Sequence, residues 1–132
     1  MILYSTFGTN DLPRARAFYD PVMATVGNTA VVANDTEVGY GKPGDADPSL
    51  YITAPFDGQP ATTGNGTMLA LTAPTRAAVR AFHSAALTHG GTDEGGPGLR
   101  YVANFYACYV RDPDGNKLSA VCTGAEPDTQ TD

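Results

Sequence analysis

Hydrophobic positions along the chain repeat with two different periods. Ala15, Phe18, Tyr19, Val22, Met23 and Val26 are spaced to line one face of a helix, with Asn10 or Asp11 available as cap and Gly27 as stop. They predict a helix over about 11–26. Val79, Phe82, His83, Ala86 and Leu87 follow the same spacing, with Thr75 as cap and Gly90 and Gly91 as stop, and predict a second helix over about 75–89. The two segments superimpose at one offset. Arg16, Ala17, Phe18 and Tyr19 fall on Arg80, Ala81, Phe82 and His83, and Gly27 falls on Gly91, each 64 residues further on. The offset holds for helix and stop signal alike, so the chain reads as a repeat.

Short apolar or alternating runs surround each helix. One precedes each, at 2–8 and 67–72; after the first helix come 30–33, 37–41 and 49–53, and after the second come 101–111 and 117–122. Asp112, Pro113, Asp114, Gly115 and Asn116 separate the last two runs with residue types that suit a tight reversal, a strong hairpin signal. Between the repeats, 54–66 is rich in Gly, Pro and Thr and reads as a linker. The second strand of the second repeat is not legible in 92–99, where Gly95, Gly96, Pro97 and Gly98 read as a mobile connection. That glycine run lacks the strand-to-helix turn and the Lys-Ser/Thr ending of a phosphate-binding loop. From 123 onward the chain is a polar tail expected to be disordered. Each repeat leaves a sheet with one face under its helix and the other bare, and pairing the bare faces leaves a cleft along a pseudo-twofold axis. The expected fold is α+β: one domain over 1–122, made of two βαβββ modules at about 1–54 and 67–122, forming a curved, mostly antiparallel sheet around that cleft.

At 132 residues the chain suits one domain, able to bury about two thirds of the surface its unfolded form exposes. Its formal net charge of -6, with 8 Lys plus Arg and no basic run, argues against wrapping nucleic acid or adhering to anionic lipid. A small neutral or anionic solute is the expected partner. Cys108 and Cys122 each sit in an apolar strand-like run, where a buried reduced thiol is the usual state. The opening MILYSTFGTNDL lacks the basic start and apolar core of a signal peptide, and no run approaches the roughly 18 apolar residues of a membrane span. A cytoplasmic protein is expected.

The segments GTNDLPRARAFYD, RAAVRAFHSAALTHGG and above all YACYVRDPDGNKLSAVC make residues 1–122 similar to the vicinal oxygen chelate superfamily of glyoxalase I, bleomycin-resistance proteins and extradiol dioxygenases. In its metal-dependent members a His in the first strand, seven residues before the Asp of the Asp-Leu pair, binds the ion; that position is Tyr4 here. A second His, in the strand opening the second module, corresponds to Met68, and a Glu three residues after the Asn of DPDGN corresponds to Ser119. A fourth ligand, where used, comes from the last strand of the first module, matched best by Tyr51. Divalent ions of this kind need imidazole or carboxylate donors at about 2.0–2.6 Å, for which a phenol, hydroxyl or thioether substitutes poorly. The resemblance with these departures implies a protein without metal or cofactor, and a homodimer.

Strand alternation tells which side chains share the cleft with these positions. Thr6 accompanies Tyr4, Lys117 accompanies Ser119, and the partner strand contributes Phe105 and Tyr109. Such walls suit a flat, weakly polar molecule. Arg100 is the cation expected to reach a ligand anion. Each assignment has a plainer competitor: Phe105 and Met68 as core, Tyr4, Tyr51 and Tyr109 as structural phenols. Ser119 has no His beside it in its strand to make it a nucleophile. His83 reads as a structural histidine in the helix stripe, and His89 as a helix cap. No catalytic residue is assigned. Three functions stay open: a metal-free binding module like bleomycin-resistance proteins, a lyase, isomerase or dioxygenase acting on a small metabolite, and an interaction protein with a filled cleft.

Overall fold

The computed structural model describes residues 1–125, so most of the tail expected at 123–132 lies outside the described residues. The first module contains β1 (Ser5–Gly8), α1 (Leu12–Ala24), β2 (Thr29–Ala33), β3 (Glu37–Gly41) and β4 (Leu50–Thr53). The second contains β5 (Met68–Thr72), α2 (Arg76–Thr88), β6 (Thr92–Leu99), β7 (Tyr106–Arg111) and β8 (Lys117–Cys122). The two sheets have the same strand order, β1-β4-β3-β2 and β5-β8-β7-β6. In each, the first and last strands of the module pair in parallel and the other pairs are antiparallel.

Each helix begins where a side chain replaces the missing backbone acceptor. Asp11 accepts from the Arg14 amide at 3.0 Å and Thr75 from the Ala78 amide at 3.0 Å. Each ends at a glycine in the left-handed region, Gly27 at φ 81° and Gly90 at φ 98°. The repeat offset had paired Gly27 with Gly91, but Gly91 serves a different need. A Cβ there would stand 2.6 Å from the Phe18 ring and 2.8 Å from the Ala86 and Arg111 carbonyl oxygens.

Two expectations need correction. The glycine-rich stretch 95–98 is no mobile connection: it lies within β6, which pairs with β7 from Thr92 opposite Arg111 to Leu99 opposite Tyr106, with two register shifts. Alternation could not reveal it, because glycines carry no side chain to alternate. The run at 101–111 begins as a turn instead of a strand, with Tyr101 and Asn104 both at φ 64°, and β7 starts only at Tyr106. Likewise β1 starts at Ser5, leaving Tyr4 just ahead of it.

One core runs through both modules. Phe18, Tyr19 and Val22 of α1 bury against Phe7, Val38, Tyr40 and Ile52, while Val79 and Phe82 of α2 bury against Tyr106, Cys108, Val110 and Leu118. Full burial of each such side chain stabilises by about 1.5–3 kcal/mol. The modules meet through α1 against α2, and no strand of one sheet comes within 8 Å, Cα to Cα, of a strand of the other. The DPDGN turn closes the junction. Asp112 accepts from the Tyr19 hydroxyl at 2.6 Å, Asp114 accepts from Thr9 Oγ1, the Asn10 amide and Arg14, and Asn116 Nδ2 donates to the Gly8 carbonyl at 3.0 Å. A turn legible as a hairpin is thus also the clasp between the repeats. With the helices joined, the second face of each sheet is left bare, and the cleft is open-sided.

Candidate functional site

The first half of the cleft is the bare face of β1 and β4. Tyr4 and Tyr51 meet edge to face with ring centroids 5.3 Å apart, and Thr6 stands exposed beside them. Tyr4 and Thr6 line a concavity of about 820 Å3 whose charged lining is Glu37 and Asp57. The segment read as a linker forms part of the wall. Asn10 Oδ1 accepts from the Ala61 amide at 2.6 Å while its Nδ2 donates to the Ala61 carbonyl at 3.1 Å, pinning that segment over Gly8. There a Cβ would come within 3.0 Å of Ala61 Cβ.

The second half is the bare face of β5, β8 and β7, with a concavity of about 710 Å3 whose walls include Met68, Tyr101, Phe105, Tyr109, Arg111 and Lys117. Residues 63–67 line it from the other side, so one connecting segment borders both halves. A notch of about 150 Å3 between Thr6 and Lys117 lies where the halves adjoin.

Tyr109 is the centre of this second face. The Arg100 guanidinium lies 5.3 Å and the Lys117 ammonium 5.7 Å from its ring centroid, both within cation–π range. Burial raises its phenol above the ordinary pKa, the Tyr101 hydroxyl adds to the rise, and the Arg100 charge and Ser119 hydroxyl oppose it. The phenol is therefore a neutral donor at neutral pH. Tyr101 and Phe105 meet edge to face at 5.5 Å, extending the aromatic wall.

Arg100 does not extend into the concavity as a free cation. It donates to the Gly96, Gly98 and Ala107 carbonyls at 2.6, 3.2 and 3.1 Å, oxygens that the irregular β6 pairing leaves for it. Arg111 donates to Glu94 and to the Gly115 carbonyl. Lys117 makes no ion pair among the described residues, and alternation with Ser119 had already placed it on this face. Tyr101 and Arg111 were missed: Arg111 shares the odd-numbered face of Tyr109 within β7, whereas Tyr101 reaches the wall from the turn ahead of that strand, which alternation cannot place.

The four positions that the resemblance matches to metal ligands fall in two pairs, one in each module. Tyr4 and Tyr51 face the first half; Met68 lies on β5 diagonal to Ser119, whose register partners are Ala70 and Tyr109. Met68 is 39% exposed, whereas Ser119 is fully buried. These donors do not fit a divalent ion, and among the described residues no group of three or more His, Cys, Asp or Glu is placed to hold one. Both histidines are engaged elsewhere: His83 Nε2 with Asp93 at 2.8 Å, and His89 Nδ1 with the Ala85 carbonyl at the end of α2, also at 2.8 Å. The cysteines are free and buried, and burial pushes the Cys108 thiol up to about 11, so it carries no thiolate at neutral pH.

Two joined βαβββ modules, each presenting a bare sheet face to a shared cleft, define the class of fold to which this chain belongs. The chain belongs to the glyoxalase/bleomycin resistance protein/dioxygenase superfamily, whose family model matches residues 2–119. It is similar to a glyoxalase/bleomycin resistance protein from Albidiferax ferrireducens T118, with 38% identity, a TM-score of 0.82, and coverage of 95% of this chain and 98% of that one. A family enzyme from Burkholderia phytofirmans PsJN shares the fold at 19% identity and TM-score 0.71, covering 93% and 98%. Lactoylglutathione lyase from Agrobacterium tumefaciens does so at 20% identity and TM-score 0.63, covering 92% of each chain. No curated protein matches the chain. Among the described residues no helix is long and apolar enough to cross a membrane.

Proposed function

We propose that this chain binds a small, partly aromatic molecule against its bare sheet faces, without a metal, a cofactor or a catalytic residue of its own. The observation that carries this reading is the aromatic wall of Tyr101, Phe105 and Tyr109 around an open concavity of about 710 Å3, at positions where metal-binding relatives have ligands and this chain has Met68 and Ser119. On the other half, Tyr4, Thr6 and Tyr51 offer a second aromatic surface with a hydroxyl beside it. The exposure of Tyr4, 54%, and of Met68 weighs against an interaction protein whose cleft is filled. A raised phenol pKa at Tyr109 weighs against an isomerase that uses it as a base. Two buried free thiols suit a reducing compartment, and we place the protein in the cytoplasm.

Titration calorimetry with neutral 2-naphthol tests the reading. Wild type is expected to bind it, and Tyr109→Ala to weaken binding by about 1–3 kcal/mol if stacking on the ring dominates. Tyr4→Ala, read the same way, reports whether the first half contributes. Unchanged affinity in both variants would place the site elsewhere, and no binding to wild type would sink the reading.

A further inference from the structure

The two halves of the cleft differ in charge. The first is lined by Glu37 and Asp57 with no cation; the second is lined by Arg111 and Lys117 with no carboxylate. Arg100 stands over Tyr109 beside them, so this one face gathers three of the 8 Lys and Arg in a chain of net charge -6. Their roles differ. Arg111 is answered by Glu94, and Arg100 is held by three carbonyl oxygens. Lys117 has only the Tyr109 ring, which leaves its three N–H donors without a carboxylate. Directly across the β7–β8 ladder from Tyr109, Ser119 is fully buried, so the Tyr109 phenol and the Lys117 ammonium are the polar groups this part of the face presents.

We propose that the second half of the cleft selects a planar aromatic anion, one ring system bearing a carboxylate or phenolate. This rests on the binding reading above and adds the charge of the ligand to it. The rings of Tyr101, Phe105 and Tyr109 take the flat part. Lys117 takes the anionic oxygen, and the neutral Tyr109 hydroxyl is the donor that orients it. The acidic first half repels the same charge, so the ligand has one favoured orientation along the cleft.

The test compares three probes of one shape by calorimetry at low salt: 2-naphthoate, neutral 2-naphthamide and cationic 2-naphthylmethylammonium. Wild type is expected to bind the carboxylate at least about tenfold more tightly than the amide, and the ammonium more weakly than either, which corresponds to about 1.4 kcal/mol or more for the charge. In Lys117→Met the carboxylate's advantage should shrink to within about twofold, while Lys117→Arg, which keeps the charge and guards against a folding artefact, should retain it. Equal binding of all three probes would overturn the charge selection and leave the aromatic site standing. A preference that survives in Lys117→Met would overturn the role of Lys117. Binding of none would overturn both this proposal and the reading on which it rests.

Discussion

Asp112 stands where the modules meet, and its two oxygens answer both of them. Oδ2 accepts from Tyr19 of α1 and from Asn116, and Oδ1 accepts from the Asp114 and Asn116 amides. Replacing Tyr19 by Phe keeps the packing but removes the one hydroxyl that crosses the junction to Asp112, at an expected cost of about 1.5–3 kcal/mol in urea denaturation near neutral pH. The pH dependence follows from the same residue. Burial first, then the Asp112 charge, raises the Tyr19 phenol well above its ordinary 10.0, and burial moves the Cys108 thiol from 9.0 to about 11. A group whose pKa is raised by folding releases its proton first in the unfolded chain. Its contribution is complete below the unfolded pKa and is lost as the pH rises toward the folded one. The urea midpoint should therefore fall progressively above about pH 9, with a slope of about 1.4 kcal/mol per pH unit for each group in its window. Tyr19→Phe should flatten the part above pH 10; a midpoint constant to pH 11 in wild type would contradict the assignment. The sequence shows Tyr19 only as one position of a helix stripe. Its partner lies 93 residues away, and no local pattern names it.

At the scale of elements, the helices were legible because a helix needs a stripe, a cap and a stop, and all three are local. The two glycines matched by the repeat separate their roles under substitution. Gly27 sits at φ 81° with open space around it, so Gly27→Ala should cost only the backbone strain, about 1–2 kcal/mol. Gly91 has no positive φ, yet a Cβ there meets the Phe18 ring and two carbonyl oxygens, and Gly91→Ala should cost more, about 2–4 kcal/mol, by forcing α1 away from the second module. Thermal melting of the pair checks the order; equal losses would mean that the α1 contact yields easily. Strand β6 was illegible for a related reason. Its identity comes from backbone pairing with β7 and from the Arg100 side chain that takes the carbonyls of Gly96 and Gly98, and neither leaves a mark in hydropathy.

For the whole molecule, the open-sided cleft bears on assembly. Ile2, Leu3, Leu99, Tyr101 and Val102 are all more than half exposed, an unusual share of large apolar side chains on the surface of a molecule whose two sheet faces carry opposite charge. We propose that two copies pair as a homodimer that covers this surface. Light scattering at tens of micromolar should give twice the chain mass, and a monomer at that concentration would refute the pairing. Charge complementarity between the faces predicts that added salt weakens the dimer.

Local order was enough to determine much of this protein. The doubled helix stripe, the alternating runs of β5 and β8 and the DPDGN turn establish two βαβββ modules. The resemblance matched Tyr4, Tyr51, Met68 and Ser119 to the ligand positions of metal-dependent relatives, because residue identity in a motif needs no coordinates. What those side chains can reach was decided by tertiary structure alone. Arg100 is bound to glycine carbonyls, Lys117 is left facing the concavity, Ser119 is fully buried across the ladder from Tyr109, and the linker becomes a wall pinned by Asn10. Each of these depends on contacts between residues distant in the chain or on backbone groups that every residue shares, and a one-dimensional pattern of side chains carries no record of either.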